Sequence, residues 1–122
     1  MIEALGIDLI EIKRIKKVKE RWGKRFLERV YTSKELEYCL NKKYPESSLS
    51  GRFAAKEAVM KALGTGLSSG VSWKDIEILN DRKGKPEVLV YGKTKKLLGK
   101  KKVLISISHT KEDAIAQAMV VE

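Results

Sequence analysis

The first ten residues show no helical period. Ile2–Ile10 is apolar apart from Glu3 and Asp8 and predicts a strand, in which Gly6 weakens the pairing or permits a close backbone approach. From Glu11 the spacing changes. Ile12, Ile15, Val18 and Trp22 recur at three and four, predicting an amphipathic helix over Glu11–Trp22 that ends near Gly23. Phe26, Leu27, Val30 and Tyr31 continue as a short helix. Thr32 with Glu35 three residues on forms a capping box for a helix through about Asn41. Pro45 then breaks the chain, and a long helix follows, roughly Glu46–Leu63, closed by Gly64.

The second half is strand-rich. Gly64–Gly70 predicts a flexible loop, Ser72–Asn80 a strand, Asp81–Gly84 a hairpin turn and Pro86–Tyr91 the returning strand. Lys93–Leu98 predicts a short helix closed by Gly99. Val103, Ile105, Ile107 and His109 alternate with Leu104, Ser106 and Ser108, the pattern of a strand with two distinct faces. Thr110–Asp113 turns the chain into a last strand, Ala114–Val121. The order predicts one α+β domain over residues 1–122, with helices early, an antiparallel sheet late, and the helices packed on the sheet.

Composition narrows the function. A chain of 122 residues, 43% hydrophobic, has a small core, so a sizeable substrate site calls for a second subunit. The single cysteine, Cys39, rules out an intrachain disulfide and points to a reducing cytoplasm. No apolar run reaches the length of a membrane span, and the start lacks the basic region and cleavage site of a signal peptide. The net charge is +10, concentrated between Lys13 and Arg25, where eight basic residues face one acid, Glu20. Such a surface attracts polyanions. A small nucleic-acid-binding module would explain it, but aromatics are few and not interleaved with the basic run, and no helix-turn-helix or zinc signature occurs. That reading, like a bare oligomerisation scaffold, leaves the carboxylates Asp8 and Glu57 without a role.

With Arg52 at zero and about 100° per residue, Ala54, Ala55, Ala58 and Ala62 fall on one arc of the long helix, suited to close packing. Glu57 lies between that arc and the apolar edge of Phe53 and Met60, where a carboxylate needs a partner or a cation. An ordinary i,i+4 pair with Lys61 would satisfy it. Asp8 interrupts an apolar strand just before a helix, where it could cap that helix or ligate a hard cation; two carboxylates plus phosphate oxygens and waters are a usual Mg²⁺ shell. Cys39 has no visible activating partner, and one cysteine with one histidine, His109, argues against zinc.

Gly6–Ile15 (GIDLIEIKRI), Gly51–Gly66 (GRFAAKEAVMKALGTG) and Ser106–Thr110 (SISHT), with Lys74–Ile78 and Gly84–Pro86, resemble the signature segments of holo-acyl-carrier-protein synthases, in order and spacing, through nearly the whole chain. The resemblance implies a 4′-phosphopantetheinyl transferase fold. It also implies transfer of 4′-phosphopantetheine from coenzyme A to a serine of an apo-acyl-carrier protein, with release of 3′,5′-ADP, in support of fatty acid biosynthesis. Asp8 and Glu57 match the Mg²⁺ ligands, and Lys61 completes the catalytic set beside the phosphates. Arg52, Gly64, Thr65, Gly66, Ser108, His109 and Thr110 match coenzyme A contacts, the last segment reaching the nucleotide from a neighbouring subunit of a cytoplasmic homotrimer. Carrier proteins are acidic, so Arg14, Arg21, Lys24 and the apolar Phe26 are the expected docking positions. Lys16, Lys17 and Lys19 go beyond the family's pattern and leave carrier selectivity open.

Overall fold

The first strand is not a preliminary to the helices but one edge of the main sheet. In the computed structural model, which describes residues 1–66 and 70–122, β1 (Ile2–Glu11) pairs antiparallel with the last strand, β5 (Asp113–Val121), and β5 pairs antiparallel with β4 (Lys102–His109), giving the order β1-β5-β4. The division into early helices and a late sheet is therefore corrected: the chain's two ends are sheet neighbours. Helix α1 (Ile12–Trp22) begins one residue later than its period suggests, because Glu11 still pairs with Asp113. Then come α2 (Lys24–Val30), α3 (Ser33–Leu40) and the long α4 (Pro45–Ala62). Pro45 both ends the preceding segment and occupies the first turn of α4, where its missing N–H costs nothing. The capping box forms as expected: Thr32 Oγ1 accepts from the Glu35 N–H at 3.3 Å and Glu35 Oε1 from the Thr32 N–H at 2.9 Å.

The predicted strand Ser72–Asn80 splits. Trp73–Asp75 is a 3₁₀ turn capped by Ser72 and Asp75, and only Ile76–Asn80 (β2) is extended. It pairs with β3 (Pro86–Val90) in a separate two-stranded sheet; α5 (Gly92–Leu98) follows. In the hairpin turn Gly84 has φ +85, which glycine adopts without strain, and its N–H donates to Asp81 O at 3.0 Å. Of the predicted Gly64–Gly70 loop, residues 67–69 lie outside the described residues.

The core lies between α4 and the inner face of the main sheet. Small residues meet there: Ala54, Ala55, Ala58 and Ala62 of α4 over Ala114, Ala116 and Ala118 of β5, all buried. Gly6 is the tightest point. A Cβ on it would stand 2.0 Å from Ala58 O and 2.7 Å from Ala62 N, so a close backbone approach is the reason for that glycine. The opposite face of the sheet keeps Leu5, Ile7 and Leu9 of β1 exposed at 56%, 56% and 64%, with Leu104 and Ile115 beside them. Among the described residues, no helix is long and apolar enough to cross a membrane.

Gly6→Ala is expected to cost more than about 3 kcal/mol or to prevent folding, since both neighbours are backbone and neither can yield. Denaturant unfolding of the variant measures it.

Candidate active site

Because Gly6 draws α4 down onto β1, the strand residue two positions later stands beside the helix flank. That residue is Asp8. Lys61 Nζ reaches across from α4 to Asp8 Oδ1 at 3.0 Å and to Ile7 O at 3.0 Å. The ion pair of Lys61 is thus with Asp8, not with Glu57 four residues earlier on its own helix. Asp8 does not cap α1 either, since Glu11 holds that position. Glu57, half-buried, has its pKa raised first by burial and then by the charge of Asp8, against the opposing pull of Lys61 and Arg14. Two carboxylates that repel each other on a part-buried flank make a place where a cation is stabilised. Among the described residues no group of three or more His, Cys, Asp or Glu forms a metal cluster. A pair of carboxylates suits a hard cation that keeps most of its waters, and Asp8 and Glu57 fit that donor set. Just beyond, the N–H groups of Gly64 and Thr65 close the end of α4 on Lys61 O and Met60 O. Gly64 has φ +70, and the Thr65 hydroxyl is buried without a partner.

Arg52 occupies the opposite flank. It is nearly fully buried, its Nη2 donating to Asn80 Oδ1 and its Nη1 to Ser48 Oγ at 3.4 Å, with Tyr38 stacked 4.2 Å from the guanidinium. Its Nε has no partner. Arg52, Tyr38, Lys42, Lys43, Asn80 and His109 line a cavity of about 470 Å³ between α4, the β2–β3 turn and the end of β4. His109 lies against Gly51, where a Cβ would come within 2.6 Å of Nε2. Three cations around one concavity suit an anionic ligand. Thr110 uses its hydroxyl to close the β4–β5 turn, accepting from the Glu112 and Asp113 N–H groups at 3.3 and 3.0 Å. Ser108 faces the other side of β4 from His109.

The expected site residues therefore gather in two places. Arg52 and Lys61, nine residues apart, stand about 180° from each other around the axis of α4 and roughly 14 Å along it. Asp8, Glu57, Lys61 and Gly64–Gly66 are on one flank, Arg52 and His109 on the other. One chain does not bring them together.

On α1 and α2, Arg14, Arg21 and Lys24 are exposed. Phe26 is half-buried, edge-on to Tyr31 at 5.9 Å, so it offers less free surface than expected. Trp22 is the more open aromatic, 47% exposed, with Arg21 and Arg25 over its ring at 5.1 and 5.7 Å. Of the extra lysines, Lys19 pairs with Glu46 at 3.2 Å, bracing α1 on α4, while Lys16 and Lys17 are exposed.

Residues 4–117 match the 4′-phosphopantetheinyl transferase superfamily. The chain belongs to that superfamily. A relative from Protochlamydia amoebophila, named holo-acyl-carrier-protein synthase, is 53% identical over 119 residues, covering 98% of each chain. The holo-acyl-carrier-protein synthase of Neisseria meningitidis superposes with a TM-score of 0.89 at 34% identity, covering 100% of each chain. That of Bacillus anthracis, solved in complex with CoA (3′,5′-ADP), gives 0.85 at 40%, covering 100% of this chain and 98% of the other.

In this superfamily member, sequence reasoning missed Tyr38, Lys42, Lys43 and Asn80. The Lys42–Lys43 pair ahead of Pro45 was a visible charge signal; nothing in the sequence placed Tyr38 or Asn80 beside Arg52. Cys39 is buried and holds no catalytic position: burial pushes its thiol pKa up, and Ser48 donates to its sulfur at 3.2 Å.

Because the folded-state pKa of Glu57 is raised, its charged form opposes folding: stability is highest below the unfolded pKa and falls as pH rises through the folded value. Without divalent cations, Glu57→Gln is expected to raise Tm at neutral pH and to lose that advantage near about pH 4. Thermal unfolding at both pH values checks it.

Proposed function

We propose that the chain is a holo-acyl-carrier-protein synthase: it transfers 4′-phosphopantetheine from coenzyme A to a serine of an apo-acyl-carrier protein and releases 3′,5′-ADP, in support of fatty acid biosynthesis. The observation that carries this reading is helix α4, with a carboxylate pair and a lysine on one flank and a cationic cavity on the other, in a chain that matches its superfamily over residues 4–117. The Bacillus anthracis relative is solved in complex with CoA (3′,5′-ADP), a phosphate-rich ligand of the class that a cationic cavity suits.

The residues divide the work. Arg52, Lys42, Lys43 and His109, which line the cationic cavity, bind nucleotide phosphate. Gly64, Thr65 and Gly66, at the end of α4 beside Lys61, border the pyrophosphate. The carrier serine oxygen attacks the β-phosphorus, its hydroxyl proton passing to solvent water, and the bond to the oxygen of the departing 3′,5′-ADP breaks. Lys61, held beside Asp8, stabilises the negative charge that builds on the phosphate oxygens. Mg²⁺, held by Asp8 and Glu57, supplies neutralisation of the pyrophosphate charge when bound. Arg14, Arg21 and Lys24, with Trp22 and Phe26 between them, dock the acidic carrier.

The active form is the homotrimer that the resemblance implies, with each site made by two neighbours; the placement of the two groups of residues on opposite flanks of α4 supports a site shared between chains. The exposed apolar face formed by Leu5, Ile7, Leu9, Leu104 and Ile115 supports this assembly, since a face of that kind is normally covered. The cytoplasm is where both substrates are met, and the single buried Cys39 suits it.

Mass spectrometry of an apo-carrier incubated with the protein, coenzyme A and Mg²⁺ is expected to show a phosphopantetheine-sized gain, and chelation of the cation to abolish it; no gain contradicts the proposal. Asp8→Ala should lower kcat more than about 100-fold with the fold intact. Arg14→Glu should raise KM for the carrier and leave that for coenzyme A unchanged.

A further inference from the structure

Among the described residues, strand β2 pairs with β3 along one edge and with no strand along the other. Its other edge meets two side chains that are completely buried, Lys56 of α4 and Glu35 of α3. Lys56 Nζ lies 2.8 Å from Glu35 Oε1, donates to Trp73 O at 3.0 Å and also donates to Ile76 O. Glu35 Oε2 accepts from the Ile78 N–H at 2.9 Å. Two of the backbone groups that a third strand would satisfy, Ile76 O and the Ile78 N–H, are thus taken by one buried ion pair. Glu77, from the same strand, accepts from Thr32 Oγ1 at 2.5 Å and from Tyr91 OH at 2.9 Å. Two residues past Ile78, Asn80 Oδ1 accepts from Arg52, and Asn80 Nδ2 donates to Gly84 O at 2.8 Å. A continuous path of contacts runs from Lys56 and Glu35, through β2, to the wall of the Arg52 cavity.

We propose that the buried Lys56–Glu35 pair is a positioning device for the nucleotide pocket: it stands in for a missing strand on the free edge of β2 and so holds Asn80 and the Asp81–Gly84 turn against Arg52. The inference rests on the reading of that cavity as the site for the nucleotide of coenzyme A. A two-stranded sheet is marginal alone, and a buried ion pair adds little net stability over an apolar replacement. What the pair supplies is register. Neither residue lines the cavity, and neither bonds to Asp8 or Lys61. Its effect falls on coenzyme A binding and not on the transfer step.

The test replaces both partners, Lys56→Met with Glu35→Gln, which removes both charges at nearly constant volume. In the whole protein, KM for coenzyme A and the calorimetric Kd for 3′,5′-ADP are expected to rise about tenfold, with kcat at saturating coenzyme A held within about twofold. Val59→Ala, a core change on the same helix, should leave KM and Kd unchanged. A double variant whose KM and Kd move no more than those of Val59→Ala overturns the positioning role while leaving the pocket's identity intact. Wild-type protein that does not bind 3′,5′-ADP overturns the identity and the proposal together. Hydrogen exchange tests the same path without a variant. On binding 3′,5′-ADP, the Ile78 amide, bonded to Glu35 outside the cavity, should slow more than the amides of β5; equal slowing overturns the link.

Discussion

Helix α4 rests on the main sheet at backbone distance, and the placement of both functional flanks follows from that contact. Gly6 has no side chain because Ala58 O and Ala62 N occupy the space a Cβ would need. The alanines of α4 and β5 extend the same closeness along the helix. A helix seated this low cannot rotate or slide without collision, so its flanks are held at defined heights above the strands. One flank sets Glu57 and Lys61 beside Asp8; the other sets Gly51 beneath His109 and Arg52 beside Asn80. Close packing here serves chemistry by fixing where charged side chains emerge from small ones.

The electrostatics of the flanks are opposite. Near β1, Asp8 and Glu57 repel each other, and Lys61 offsets only part of that repulsion. Near β4, Arg52 is held by Tyr38, Ser48 and Asn80, with Lys42 and Lys43 close by. A ligand carrying both a metal-binding pyrophosphate and further phosphate would use both. In the proposed assembly two neighbouring chains would supply the two flanks.

Much of the fold was legible in the chain because its signals are local. The period at Ile12–Trp22, the Thr32–Glu35 capping box, the alternation at Val103–His109 and the Asp81–Gly84 turn all appear as expected. Asp8, Glu57 and Lys61 were identified as a group, but their pairing was not, since Lys61 chooses a partner 53 residues away over one on its own helix. Strand order escaped for the same reason: the pairing of β1 with β5 joins the ends of the chain. Trp73–Asp75 was read as strand because a 3₁₀ turn of three residues carries no period. Lys56 and Glu35 gave no sign of their partnership; a lysine on a helix reads as surface until the tertiary fold buries it.

Whether each site is built from opposite flanks of α4 in two neighbouring chains is decided by mixing two inactive variants, Asp8→Ala and Arg52→Ala. In the proposed trimer, each variant on its own leaves no intact site. After subunit exchange, one interface type in the mixed trimers pairs an intact carboxylate flank with an intact cationic flank. The transfer rate is expected to return to about a quarter of wild type at equal mixing. A mixture that stays as inactive as its components would show that both flanks must belong to the same chain.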